Sequence, residues 1–290
     1  MKLKLILSTT LLASTLLTAM SPQARTLIQN KGSDTLVNVA QAWAEAYPKV
    51  NPDVAVAVSG GGSGTGIAAM INGTVDIANA SRKMKDKERK LAEKNGQHPV
   101  EHVVGYDALA VFIHKDNPIT SMSLAQLKDI YGRDPKVKNW SDMGITVPGC
   151  KDKIIVVSRQ NNSGTYAYFK KTVLGKKGRY RQGTLDMHGS KDVVDLVEKP
   201  PCAIGYSGLA YATDHVQMVC ISKKDGDQCV EPSVATASDR SYPIARPLFM
   251  YTAQKPEGTV KAYMDWILSD AGQCIIVAKG YAPVRDVNCK

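Results

Sequence analysis

Short apolar runs and helical stretches alternate along this chain of 290 residues, and that alternation narrows the folds open to it. Residues 54–58 read Val-Ala-Val-Ala-Val and residues 75–78 read Val-Asp-Ile-Ala, each of strand length, with a helical pattern over 65–72 between them. Residues 154–157 form a third such run. Ahead of these, the stretch 35–47 puts Leu36, Val39, Ala40, Trp43 and Tyr47 on one helical face, with Pro48 as its stop. Strands alternating with helices predict an α/β architecture with largely parallel sheets. Two longer extended segments, 103–113 and 248–252, fall where the chain would cross between two lobes, and 260–268 reads as another amphipathic helix. The basic run 83–90 reads as a solvated helix face, and no tandem repeat interrupts the pattern.

The first segment has a different character. Lys2 and Lys4 precede an apolar stretch over 5–19, followed by Pro22, Gln23 and Ala24, which predicts a secretory signal peptide over 1–24 with cleavage near Ala24. The stretch is shorter than the ~20 residues a spanning helix needs. No cysteine precedes Cys150, so no acceptor for an N-terminal lipid is in view, and a soluble periplasmic or secreted protein is expected. The six cysteines suit an exported chain with three disulfides, although many pairings are open to them. Proximity suggests Cys220 with Cys229 across a polar turn and Cys274 with Cys289, leaving Cys150 and Cys202. There is no Cys-x-x-Cys, and His98 and His102 are separated by Pro99, so no metal site and no cofactor are expected.

Three turns share one chemistry. Gly32-Ser33-Asp34-Thr35, Gly60-Gly61-Gly62-Ser63-Gly64-Thr65-Gly66 and Asn162-Ser163-Gly164-Thr165 each place glycine and hydroxyls where a turn enters a helix. First-turn amides lack intrahelical acceptors and carry the positive end of the helix dipole, while glycine admits a ligand close to the backbone. The third turn follows Ser158 and Arg159, and a guanidinium can hold two oxygens of an oxyanion at once. One such turn is ordinary helix capping. Three in one chain, with a net charge of +10, point to a bound anion.

Other chemistries fit less well. The glycine-rich run lacks the lysine of a nucleotide P-loop, Thr65 stands where a dinucleotide-binding fingerprint needs its third glycine, and Ser63 is not in a Gly-x-Ser-x-Gly elbow. No nucleophile with a base or metal beside it is visible, so no catalytic residue and no enzymatic activity are expected.

These motifs, together with Gly73-Thr74-Val75-Asp76-Ile77-Ala78-Asn79-Ala80-Ser81-Arg82 and Ala203-Ile204-Gly205-Tyr206, resemble those of the phosphate-binding proteins of bacterial high-affinity phosphate ABC transporters, the PstS-like family. The likeness runs in order from Asn30 to Ala282. It implies a type II periplasmic-binding-protein fold of two lobes, each a mixed sheet flanked by helices and joined by two crossover strands, with lobe I over 25–108 plus 247–290 and lobe II over 109–246. It further implies a monomer that closes on inorganic phosphate and delivers it to an inner-membrane permease, with no nucleic-acid partner. A secreted oxyanion-binding protein with a surface-interaction or phosphatase-like role is the alternative.

The resemblance also assigns residues. Thr35 and the backbone N–H of Leu36 resemble the first-lobe donors, Ser63 the serine of the second seat, and Arg159, Ser163, Gly164 and Thr165 the second-lobe group, with Asn161 where the family often has an aspartate that orients the arginine; Ser33, Gly64 and Ser81 within the same motifs are further phosphate-binding candidates. One departure stands out. Well-understood members carry, just after the serine at Ser81, an aspartate that accepts the proton of hydrogen phosphate, and this chain has Arg82 there. Losing that acceptor weakens the rejection of sulfate unless another carboxylate serves. Asp34 and Asp76 are the candidates, Asp34 favoured for lying inside a seat; failing both, Arg82 supplies a second cation.

Overall fold

A computed structural model describes residues 25–289; the expected signal segment lies outside them. In chain order the strands are β1 Thr26–Gly32, β2 Val54–Ser59, β3 Ile77–Ala80, β4 Val100–His114, β5 Ser121–Ser123, β6 Ile155–Arg159, β7 Leu185–Met187, β8 Ala203–Gly208, β9 Val216–Met218, β10 Cys220–Ser222 and β11 Ala245–Thr252. The helices are α1 Val37–Ala46, α2 Ser63–Ile71, α3 Asp86–Lys94, α4 Leu124–Tyr131, α5 Gly164–Phe169, α6 Ser190–Val197, α7 Val234–Ser238, α8 Gly258–Leu268 and α9 Asp270–Ala278.

The main sheet runs in the order β2-β1-β3-β11-β4-β8-β6-β7, with β9 also on β4. Its two ends are parallel, β1 with β2 and β3, and β6 with β7 and β8. Its middle is antiparallel, because β4 and β11 are crossover strands that run between the two halves. The early part of β4 pairs with β11, and Leu109 to Ile113 pair with β8. The largely parallel sheet expected from the alternation therefore holds only away from the crossings.

Strand periodicity sets the cores. In β11, Leu248 and Met250 join Ile28, Leu36, Val39 and Trp43 under α1, while Phe249 and Tyr251 join Ile67 and Met70 under α2. In β4, Leu109, Val111 and Ile113 face one side of the second half, and Ala110 and Phe112 face the other. Burying both faces of a sheet this way needs near-continuous apolar strands, which is what residues 103–113 supply.

Several boundaries differ from expectation. The helix read over 35–47 splits into a 3-10 turn, Asp34–Leu36, then α1, then a second 3-10 turn, Tyr47–Lys49, that accommodates Pro48 at its start rather than stopping at it. The strand read over 75–78 lies at Ile77–Ala80; just before it, Asp76 accepts the Gln29 N–H with its carboxylate and donates its own N–H to Gln29 O. Helix α9 was not anticipated. The disulfides join Cys150 to Cys202, Cys220 to Cys229 and Cys274 to Cys289, with Cα separations of 5.1, 5.5 and 5.4 Å.

Candidate functional site

Five buried hydroxyls gather where the two halves meet. At the end of β1, Gly32 has φ 145° and lies so near β3 that a Cβ would sit 2.2 Å from the Asn79 carbonyl oxygen; only glycine permits that turn. The turn brings Ser33 round so that its hydroxyl donates to Ser81 Oγ at 3.0 Å, at the end of β3. Ser63, opening α2, accepts from the Ser81 N–H at 3.0 Å and stands 3.4 Å from the Ser81 hydroxyl.

The second half meets this group through α5. A Cβ on Gly164 would fall 2.2 Å from Ser63 Oγ and 2.5 Å from Ser81 Oγ, so a side chain there would fill the cluster. Thr165 Oγ1 lies 3.0 Å from Thr35 Oγ1, joining the halves directly. Ser33, Thr35, Ser63, Ser81 and Thr165 are all buried. Of the first-turn amides of α2 and α5, those of Gly64, Thr65, Thr165 and Tyr166 already have acceptors in Asn162 O, Gly62 O and the Ser163 hydroxyl. Two tyrosines hold the carbonyls of the Asp34–Leu36 turn: Tyr211 donates to Asp34 O at 2.6 Å and Tyr281 to Thr35 O.

Two buried arginines flank the hydroxyls. Arg159, ending β6, donates from Nη2 to Asp34 Oδ2 at 2.8 Å and to His188 O at 2.7 Å, from Nη1 to Ser190 Oγ at 2.9 Å, and from Nε to Met187 O at 3.3 Å. Arg246, in β11, donates from Nε and Nη2 to Asp107 Oδ2 at 3.0 and 2.8 Å. The same Nη2 reaches Thr35 Oγ1 at 3.2 Å and Thr165 Oγ1 at 3.1 Å, and Nη1 reaches Ser81 O at 3.3 Å. Burial raises the Asp107 carboxyl above its ordinary range although Arg246 opposes it, and burial lowers Arg159 although Asp34 opposes that.

The expected residues divide. Ser33, Thr35, Ser63, Ser81, Gly164 and Thr165 come together. Ser163 caps α5, its hydroxyl accepting from the Thr165 and Tyr166 amides. The Leu36 N–H is taken by Ser33 O within the 3-10 turn, and the Gly64 N–H by Asn162 O across the halves. Arg82 supplies no second cation: its Nη1 and Nη2 each meet Glu88 at 2.8 Å, where Glu88 also caps the start of α3. Asn161 does not orient Arg159; Asp34, expected as a proton acceptor, does. Its other oxygen accepts the Gly61 N–H at 2.8 Å, so both are occupied.

Arg246 and Asp107 were missed. A signal was present: each is a lone charge beside or within an apolar crossover strand, where an unpaired charge is costly and a partner is to be sought.

The sequence matches the PBP superfamily domain over residues 18–271. It is 37% identical over 268 residues to the phosphate-binding protein PstS of Pseudomonas aeruginosa, covering 89% of this chain and 83% of that one. It is 31% identical over 257 residues to the PstS of Bacillus subtilis, covering 88% and 80%. A protein from Clostridium perfringens crystallised with bound phosphate superposes with a TM-score of 0.78 at 31% identity, over 90% of this chain and 100% of that one. An ABC-type phosphate transport receptor from Vibrio cholerae gives 0.69 at 25% identity, over 88% and 99%.

Proposed function

The chain belongs to the PstS-like family of phosphate-binding proteins, and from that premise we propose that it binds inorganic phosphate in the periplasm and hands it to an ABC transporter permease. The observation that carries the site is the buried set of five hydroxyls whose side-chain partners are one another and Arg246. Hydroxyls rotate, so a tetrahedral oxyanion can turn them all into donors toward itself. Arg159 and Arg246 are each balanced by an aspartate, so the anion meets oriented dipoles and N–H groups rather than an excess of positive charge. Each bond to the charged ligand contributes about 1.5–3 kcal/mol.

The two halves act as lobes, 25–108 with 247–290 and 109–246, turning on β4 and β11. Thr35 and Asp34 come from the first, Thr165 and Arg159 from the second, so a ligand held by both groups favours the closed arrangement. Residues 1–24 serve export and are removed. The protein is a receptor without catalytic turnover.

Calorimetric titration of phosphate-stripped protein tests this. Saturable binding of one phosphate per chain is expected, with Arg159→Ala weakening it about 100-fold through the loss of charge-assisted bonds. Absence of phosphate binding, or phosphate release from ester substrates at enzymatic rates, would overturn it.

A further inference from the structure

The phosphate reading leaves one chemical question, which the carboxylates around the hydroxyl cluster decide. Hydrogen phosphate brings a proton that needs an acceptor, and a buried acceptor is what turns away an oxyanion with none to give. Asp34 has both oxygens engaged, by Arg159 and by the Gly61 amide. Asp76 is exposed and takes the Gln29 N–H. Glu88 is consumed by Arg82 and the Lys85 N–H.

Asp107 differs from all three. It is 1% exposed, and Arg246 engages only Oδ2. Oδ1 is buried and accepts no side-chain hydrogen bond among the described residues; the Leu209 N–H is the one backbone donor acting on the carboxylate. The guanidinium that pins Oδ2 also touches Thr35 and Thr165, so one cation links the carboxylate to the hydroxyls. Gly208 faces the same spot. A Cβ on it would lie 3.1 Å from Oδ1 and 3.4 Å from Thr35 Cγ2, so the missing side chain leaves room beside the free oxygen.

We propose that Asp107 Oδ1 accepts the proton of bound hydrogen phosphate, making Asp107 the residue that separates phosphate and arsenate from sulfate. The acceptor thus sits on crossover strand β4 and not after Ser81, where this chain has Arg82. Sulfate at neutral pH has no proton, so one of its oxygens would face Oδ1 as acceptor against acceptor. The proposal rests on phosphate being the ligand.

The test compares affinities for phosphate, arsenate and sulfate in stripped wild type, Asp107→Asn and Asp34→Asn. Wild type is expected to prefer phosphate and arsenate over sulfate by about 100-fold or more, and Asp107→Asn to cut that ratio by about 10- to 100-fold, since its amide can donate to sulfate. Asp34→Asn should weaken both ligands and leave the ratio in place. Should Asp107→Asn fail to fold, Asp107→Asn/Arg246→Gln removes both charges together and the same ratio is read. Parallel weakening of phosphate and sulfate in the Asp107 variants would make Asp107 merely structural and overturn the proposal, as would a wild type that binds phosphate and sulfate alike. A wild type that binds neither would instead strike down the phosphate reading, and this proposal with it.

Discussion

Arg159 and Arg246 are each 1% exposed and each paired with an aspartate, yet they are held in different ways. Arg159 spreads its donors over one carboxylate, one serine and two backbone carbonyls, and its partner Asp34 keeps 12% of its side chain exposed. Arg246 gives Nε and Nη2 to one carboxylate and also reaches Thr35, Thr165 and the Ser81 carbonyl, and both side chains of its ion pair are 0% exposed. The first arrangement is a cation placed by the scaffold of the second half and completed by a residue from the first. The second is a fully buried ion pair between crossover strands β4 and β11, whose cation also touches a hydroxyl from each half. Both pairs therefore join residues from the two halves, and they differ in solvent access: the Arg159 pair is partly open through Asp34, whereas the Arg246 pair is sealed.

The sharpest way to break this comparison is to remove one charge from each flank. Arg246→Met leaves the Asp107 carboxylate buried with no cation, and the expected loss of folding stability is about 3–5 kcal/mol by urea denaturation. Adding Asp107→Leu should return most of it, because two apolar groups replace two charges that lost solvation on folding. A loss below about 1 kcal/mol in the single variant would mean that water or another group reaches Asp107, and the contrast between the flanks would disappear.

On the other flank, Asp34→Asn should cost less, about 1.5–3 kcal/mol, because Arg159 keeps Ser190 and two carbonyls and the amide oxygen can still accept from Gly61. Its larger signature should be functional, a weaker hold on phosphate from a less firmly placed Arg159. Equal stability losses for Asp34→Asn and Arg246→Met would mean that the two ion pairs are equally dependent on their partners.

The same contrast explains what could be read in advance. The glycine and hydroxyl turns were legible because their function is local: capping, close approach and first-turn amides all lie within a few consecutive residues. Ser33, Thr35, Ser63, Ser81, Gly164 and Thr165 were found that way or through the family likeness, as was Arg159. The Arg246–Asp107 pair spans 139 positions, and nothing near either residue names the other. Only the register of β11 on β4, which sets Arg246 opposite Asp107, brings them together. Asp34 was legible as a seat residue but not in its role, since its partner is 125 positions away on the other half. Alternation fixed the existence of strands and helices, while the antiparallel middle of the sheet came from the crossings, which no local pattern encodes.

The smallest effect should come from a third arginine, the chain neighbour of Ser81, whose guanidinium is engaged by Glu88 and not by the hydroxyls. Arg82 is bound to Glu88 at the start of α3, with side chains 9% and 17% exposed. Burial pushes the Glu88 carboxyl up, but the hydrogen bonds from Arg82 and the Lys85 amide outweigh it and hold it below its ordinary 4.5. A carboxyl depressed by folding adds stability above its unfolded value and loses it as pH falls through the folded one. Arg82→Ala should therefore cost about 1 kcal/mol at neutral pH, and progressively less as pH falls from about 4.5 through the lower folded value, beneath which Glu88 is protonated in both proteins. Urea midpoints measured across that range check the sign. A cost that instead grew toward acid would show that Arg82 acts through some group other than Glu88, and would reopen its place beside the hydroxyls.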